Sequence, residues 1–129
     1  MKKFEITTYA RTELLDITDT VSQYVRESGI QNGICTIFVP HTTAAVTINE
    51  NTDPNVLYDI TTFLNKLVPN LASFRHGEGN SDAHIKSSMI GCSISIIVEN
   101  GNLQLGTWQG IFFCEFDGPR KRKFYVEVK

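Results

Sequence analysis

The stretch SISIIVENGNLQLGTWQGIFFCEF, Ser93 to Phe116, decides the fold. Ser93-Ile94-Ser95-Ile96-Ile97-Val98 is rich in β-branched residues and reads as a strand. Glu99-Asn100-Gly101-Asn102 follows as a hairpin turn, because Asn-Gly supplies the positive φ angles that such a turn requires. Leu103-Gln104-Leu105 leads back, and Ile111-Phe112-Phe113-Cys114-Glu115-Phe116 forms a further strand that is apolar on both faces. Connections this short join antiparallel neighbours, whereas parallel ones need long crossovers.

Toward the C-terminus, Asp117-Gly118-Pro119 is a turn. The basic run Arg120-Lys121-Arg122-Lys123 reads as a solvated hairpin before a last strand, Phe124-Tyr125-Val126-Glu127-Val128. Toward the N-terminus, Phe4 to Thr8 alternates as a first strand and Leu14 to Thr18 as a short second one. Asp19-Thr20 opens a helix that carries Val21, Tyr24 and Val25 on one face and closes at Gly29. Gly33 to Val39 is nearly all apolar or β-branched, which predicts a central strand covered on both faces, ended by Pro40. In Val46-Thr47-Ile48-Asn49 the apolar residues point one way and the polar ones the other. Asp53 and Pro54 start the most secure helix, with Leu57, Ile60, Leu64 and Leu67 at helical spacing and Pro69 as its stop. Asp82 is expected to cap a short helix through Ile85 and Met89, closed by Gly91. About eight strands against two or three helices, with no internal boundary, give a single α+β domain over residues 1–129. Its expected form is a largely antiparallel β-sandwich.

The 129 residues suit one domain with a modest core, and 41% hydrophobic with 20% charged residues is ordinary for a globular chain. A net charge of −2 gives no overall attraction to nucleic acid or to an anionic membrane, so neither is expected as a partner. Cys35, Cys92 and Cys114 form no metal-type pair and no even disulfide set. Each lies in or beside an apolar run, so all three are expected as buried free thiols, which fits a reducing cytosol. The start MKKFEITTYAR lacks the apolar run of a signal peptide, and no stretch approaches the ~20 apolar residues that cross a bilayer. A cytoplasmic protein is expected.

Chemistry concentrates in FRHGEGNSDAHIKSSMIG, Phe74 to Gly91. His76 and His84 flank Glu78, Asn80 and Asp82, together with two glycines, in a polar loop that starts at Pro69. Long polar loops inside compact chains usually carry function or are disordered. His41 directly follows the strand that Pro40 ends, where rigid scaffold meets solvent. Three imidazoles with one open position are a known catalytic zinc arrangement, so His41, His76 and His84 are candidate metal ligands expected to converge on one pocket. An anion site is the alternative, with Thr42, Thr43 and adjacent amides holding phosphate oxygens and Lys86 or His84 supplying charge. Asn49 and Glu50 end the strand whose polar face carries Thr47, and Glu50 is a candidate base or ligand orienter beside the imidazoles. Trp108, the only tryptophan, either stacks on a planar ligand or fills core beside Phe112. A non-catalytic module that binds a metal or a phosphate is the rival to an enzyme.

The run Ser93-x2-Ile96-x-Val98-x2-Gly101-x4-Gly106-Thr107-Trp108-Gln109-x-Ile111 resembles the signature of the YjbQ-like family, the secondary thiamine-phosphate synthase enzymes. Two further blocks agree and come in the same order: His41-Thr42-Thr43-Ala44 through Asn49-Glu50-Asn51-x-Asp53-Pro54, and Glu78-Gly79-Asn80 through Ala83-His84-Ile85-Lys86. The resemblance implies a jelly-roll-like α+β sandwich that assembles as a homotrimer in the cytoplasm. It also implies weak thiamine-phosphate synthesis, which joins a pyrimidine diphosphate to a thiazole phosphate. On that basis His41, Glu50 and His84 are candidate catalytic residues. Thr42, Thr43, Asn49, Asn80, Lys86 and Trp108 are candidates for a small phosphorylated metabolite, with a divalent metal, zinc or magnesium, as a possible cofactor.

Overall fold

A computed structural model describes residues 1–129. The strands are β1 (Lys2–Thr7), β2 (Glu13–Asp16), β3 (Gly33–Phe38), β4 (Ala44–Glu50), β5 (Ser93–Glu99), β6 (Asn102–Leu103), β7 (Gln109–Glu115) and β8 (Lys121–Val128). The helices are α1 (Thr18–Ser28), α2 (Pro54–Leu67) and α3 (Ser81–Ile90). A five-stranded sheet runs β1-β8-β3-β5-β6 and a three-stranded sheet runs β2-β7-β4, every pair antiparallel. This is the expected α+β sandwich of one domain. Three helices and unequal, curled sheets keep it from being a plain jelly roll.

The local signals acted where they were expected. Asn100 and Gly101 both have positive φ, 52° and 76°, and turn β5 into β6. Gly29, at φ 75°, closes α1. The Asp53 side chain accepts a hydrogen bond from Asn55 N–H at 2.9 Å, and Pro54 occupies the first turn of α2. The start of α1 lies earlier than predicted, because Asp16 accepts bonds from both the amide and the hydroxyl of Thr18. Helix α3 also starts earlier: Asn80 takes the cap position and Asp82 lies within the first turn.

The main core lies between the sheets. Cys35, Ile37, Ile96, Val98, Phe124 and Val126 from the larger sheet meet Ala44, Val46, Ile111 and Phe113 from the smaller, with Val21 and Val25 of α1 among them. A second cluster lies behind β7, where Ala45, Cys114 and Phe116 pack against Ala83 of α3, with Leu64 of α2 and Ile90 at its margin. The apolar second face of β7 is therefore covered within the chain and gives no argument for assembly. Strand β3 is the opposite case: Ile34 and Phe38 point outward and are exposed, so it is not covered on both faces. Cys92 is exposed as well, unlike buried Cys35 and Cys114, because it precedes β5 rather than joining its inward row.

Phe113 is fully enclosed at the point where the two sheets meet. Phe113→Ala is expected to cost about 3–5 kcal/mol, read as a lower urea midpoint at unchanged slope. A loss under about 1 kcal/mol would mean that the core does not centre on β7.

Candidate functional site

His41, Thr42 and Thr43 form the link between β3 and β4, and this link is held from two sides. On one side is the end of α3: Ser87 Oγ donates to the Thr42 carbonyl at 2.5 Å, and Val39 N–H donates to the Cys92 carbonyl at 2.8 Å. On the other side is β8. The Lys123 amide donates to His41 Nε2 at 3.0 Å, and Arg122 Nη2 donates to Thr43 Oγ1 at 2.8 Å. Three clefts meet at His41. One of about 460 Å³ is walled by Glu5, Thr7, Lys121, Arg122 and Lys123. The second, about 470 Å³, is walled by Thr42, His84, Ser87, Ser88 and Cys92, and the third joins them through Thr42, Cys92 and Arg122.

His41 is held below the usual histidine range, first by burial and then by the Arg122 charge. It is neutral at pH 7. Since Nε2 accepts the Lys123 amide, the ring proton of this tautomer lies on Nδ1, which makes that atom a donor.

His84 lines the second cleft with His41, and its ring meets His76 edge-on with centroids 5.2 Å apart. His76 and His84 are thus ring neighbours, while His84 and His41 wall the same cleft. Nowhere are three His, Cys, Asp or Glu side chains gathered so that they could hold one metal ion, so the three-histidine centre is not formed within a chain. Glu50 is also misplaced by the sequence reading. It ends β4, whose first residue, Ala44, lies next to the His41 link. Six residues of strand at about 3.3 Å each put it roughly 20 Å away. Asn49 and Trp108 share that far end: Asn49 pairs with Gly110, and the Trp108 carbonyl accepts Asn51 N–H at 2.9 Å. Trp108 is 59% exposed and fills no core.

The remaining candidates are engaged elsewhere. Lys86 is 97% buried, its Nζ 2.6 Å from Asn65 Oδ1 and 3.6 Å from Asp82, which makes it an internal tie between α2 and α3. Asn80 is buried and donates to Asp117 Oδ2 at 2.8 Å. Thr42 borders the clefts, whereas the Thr43 hydroxyl is taken by Arg122.

A family model described as UPF0047 protein YjbQ-like matches residues 2–129. The chain belongs to the YjbQ-like UPF0047 family. It is 57% identical over 126 residues to a UPF0047 protein of Methanocaldococcus jannaschii, covering 98% of this chain and 91% of the other. It is 50% identical over 129 residues to YugU of Bacillus subtilis, covering 99% and 98%. Among solved structures, a YjbQ/UPF0047 protein of Clostridium acetobutylicum superposes with a TM-score of 0.98 at 50% identity, covering all of both chains. A YbjQ-like protein of Sulfolobus solfataricus gives 0.95 at 40%, covering 98% and 94%.

In this YjbQ-like chain the sequence does not single out two residues that form a buried ion pair beside the His41 link, Glu115 and Arg122. Arg122 Nε donates to Glu115 Oε1 at 2.8 Å and Nη2 to Oε2 at 2.5 Å, with Thr8 Oγ1 donating to Oε1 at 2.7 Å. The basic run is not a solvated hairpin, because β8 begins at Lys121 and alternation turns Arg122 inward with Phe124 and Val126. That alternation was the available signal: stepping back by twos from Val128 lands on Arg122, and forward by twos from Ile111 lands on Glu115.

Burial pushes the Glu115 carboxyl up, but bonds from Arg122, the Asp117 amide and Thr8 more than offset this and hold it below its ordinary range. Asp117 behaves alike: burial raises it, and Asn80 and Arg120 bring it below the usual range. Their contribution to stability is full above the unfolded carboxylate values of about 4 and is lost as pH falls through the lower folded values. Urea midpoints are expected to begin falling below about pH 6.5, where the unfolded chain protonates His41 more readily than the fold does, and to fall further below about pH 4 as the two carboxylates protonate. A midpoint that rises on acidification below pH 4 would refute the pairing.

Proposed function

We propose that this protein is a small enzyme that binds a phosphorylated heterocycle in the clefts around His41, with thiamine-phosphate synthase-type transfer as its reaction class. The carrying observation is His41 itself. It is a neutral imidazole held between Lys121 and Lys123 on one side and His84 on the other. In such a transfer the pyrimidine methylene carbon loses diphosphate and gains the thiazole nitrogen, so negative charge builds on the leaving oxygens. The ammoniums of Lys121 and Lys123 oppose that charge electrostatically, and a donor on His41 Nδ1 can hydrogen-bond a leaving oxygen. Within one chain Glu50 lies at the other end of β4 from His41, so this reading assigns it no step.

The side chains of one chain do not fit a three-ligand metal site. In this reading a divalent cation arrives on the diphosphate, as magnesium usually does, and no step depends on a resident metal. No helix is long and apolar enough to cross a membrane, in keeping with a cytoplasmic role for the enzyme. Homotrimer assembly belongs to the same proposal. Exposed Ile34, Phe38 and Ile97 on the larger sheet, and Tyr58 and Phe63 on α2, offer apolar surface for it. Light scattering should then return three times the 14.5 kDa chain mass, and a monomer mass at micromolar concentration would remove the trimer.

Thiamine-phosphate formation from a pyrimidine diphosphate and a thiazole phosphate is the direct test. His41→Asn is expected to lower turnover by roughly 10²–10⁴ while the protein stays folded. Absence of turnover in the wild type, with diphosphate still bound in calorimetry, would favour the binding-module reading. Unchanged turnover in His41→Asn would remove His41 from the chemistry.

A further inference from the structure

Arg122 is buried, with only 6% of its side chain exposed, yet it borders two of the clefts that meet at His41. Its donors are nearly all engaged. Nε bonds Glu115, and Nη2 bonds both Glu115 and Thr43. Nη1 has no partner in the chain, and it is not sealed from solvent, since the one enclosed side-chain polar atom without a partner is Asn80 Oδ1. A guanidinium fixed on two sides, with its third nitrogen unpaired, is a preorganised donor.

We propose that Arg122 Nη1 is the anchor for a phosphoryl group bound beside His41. This rests on the phosphate reading of the clefts and adds a residue and a selectivity to it. A carboxylate is best held by two parallel N–H bonds from one edge of the guanidinium. Both such edges are closed here, because each includes Nε or Nη2. A phosphoryl group has oxygens pointing in several directions. It can take one bond from Nη1 and turn another oxygen to His41 Nδ1 in the clefts that the two residues share, with Lys121 and Lys123 adding positive charge from the outer face of β8. The charges favour it too: Lys121, Arg122 and Lys123 are opposed by Glu5 and Glu115, which leaves a net +1 around the cleft. Glu115 holds the guanidinium in place while its own charge is balanced by Arg122.

The probes are inorganic diphosphate and malonate, titrated calorimetrically into the full chain at fixed salt. Arg122→Lys keeps a cation that can pair with Glu115 but removes Nη1. It is expected to weaken diphosphate binding roughly tenfold to a hundredfold, the usual worth of a hydrogen bond to a charged group. Malonate should bind the wild type more weakly than diphosphate does and should change little in the variant. If diphosphate binds both proteins equally, the Arg122 assignment is wrong and the phosphate reading survives. If the wild type binds no diphosphate, both fall. Should Arg122→Lys fail to fold, wild-type crystals soaked in tungstate decide. The anion is expected within about 3 Å of Nη1, and tungstate seated elsewhere in the clefts overturns the assignment.

Discussion

The ion pair between Glu115 and Arg122 is the constraint on which the rest depends. Glu115 is the only charged residue in a strand otherwise buried on both faces, and it is itself fully enclosed. Taking a carboxylate out of water costs several kcal/mol, which is recovered only with good geometry and further hydrogen bonds. Arg122, Thr8 and the Asp117 amide supply them. Because Glu115 belongs to the smaller sheet and Arg122 to the larger, the pair fixes how the sheets meet at this end. The connecting turn is equally confined. A side-chain carbon on Gly118 would lie 2.2 Å from the Ala10 carbonyl oxygen, so only glycine lets the two links pass.

That geometry reaches the site through one residue. Arg122 binds Thr43, and Thr43 is two residues from His41, whose ring accepts the amide next to Arg122. The histidine is thus oriented by backbone and by a buried pair, with no flexible surface side chain involved. Sites held by such support keep their geometry within narrow limits, which catalysis by positioning requires.

Much of this was legible in the sequence because local rules dominate there. The Asn100-Gly101 turn, the Asp53-Pro54 cap and the alternation of β5 and β8 need only neighbours in the chain. The polar loop and His41 also announced themselves by composition. Where the reading failed, the cause was distance in the fold. Nothing local says that Glu50 ends a strand whose start holds the histidine link, or that Lys86 is claimed by Asn65 of another helix. Arg122 was hidden for another reason: a basic tetrapeptide after a turn resembles solvated charge, and only the strand period shows that one of the four points inward.

The order of strands in the larger sheet has a bearing on how the protein is made. Its first strand and its third both pair with β8, the last of the eight strands in chain order. Until residues 121–128 emerge, β1 has no neighbour and β3 lacks one, so half of the sheet waits on β8. Pairings this distant in sequence fold slowly, because the long loops must close before the contacts reward it. His41 gains its amide partner only from that last strand. A chain truncated anywhere before Lys121 therefore carries the histidine without the geometry that orients it, and the site comes into being only once β8 has paired.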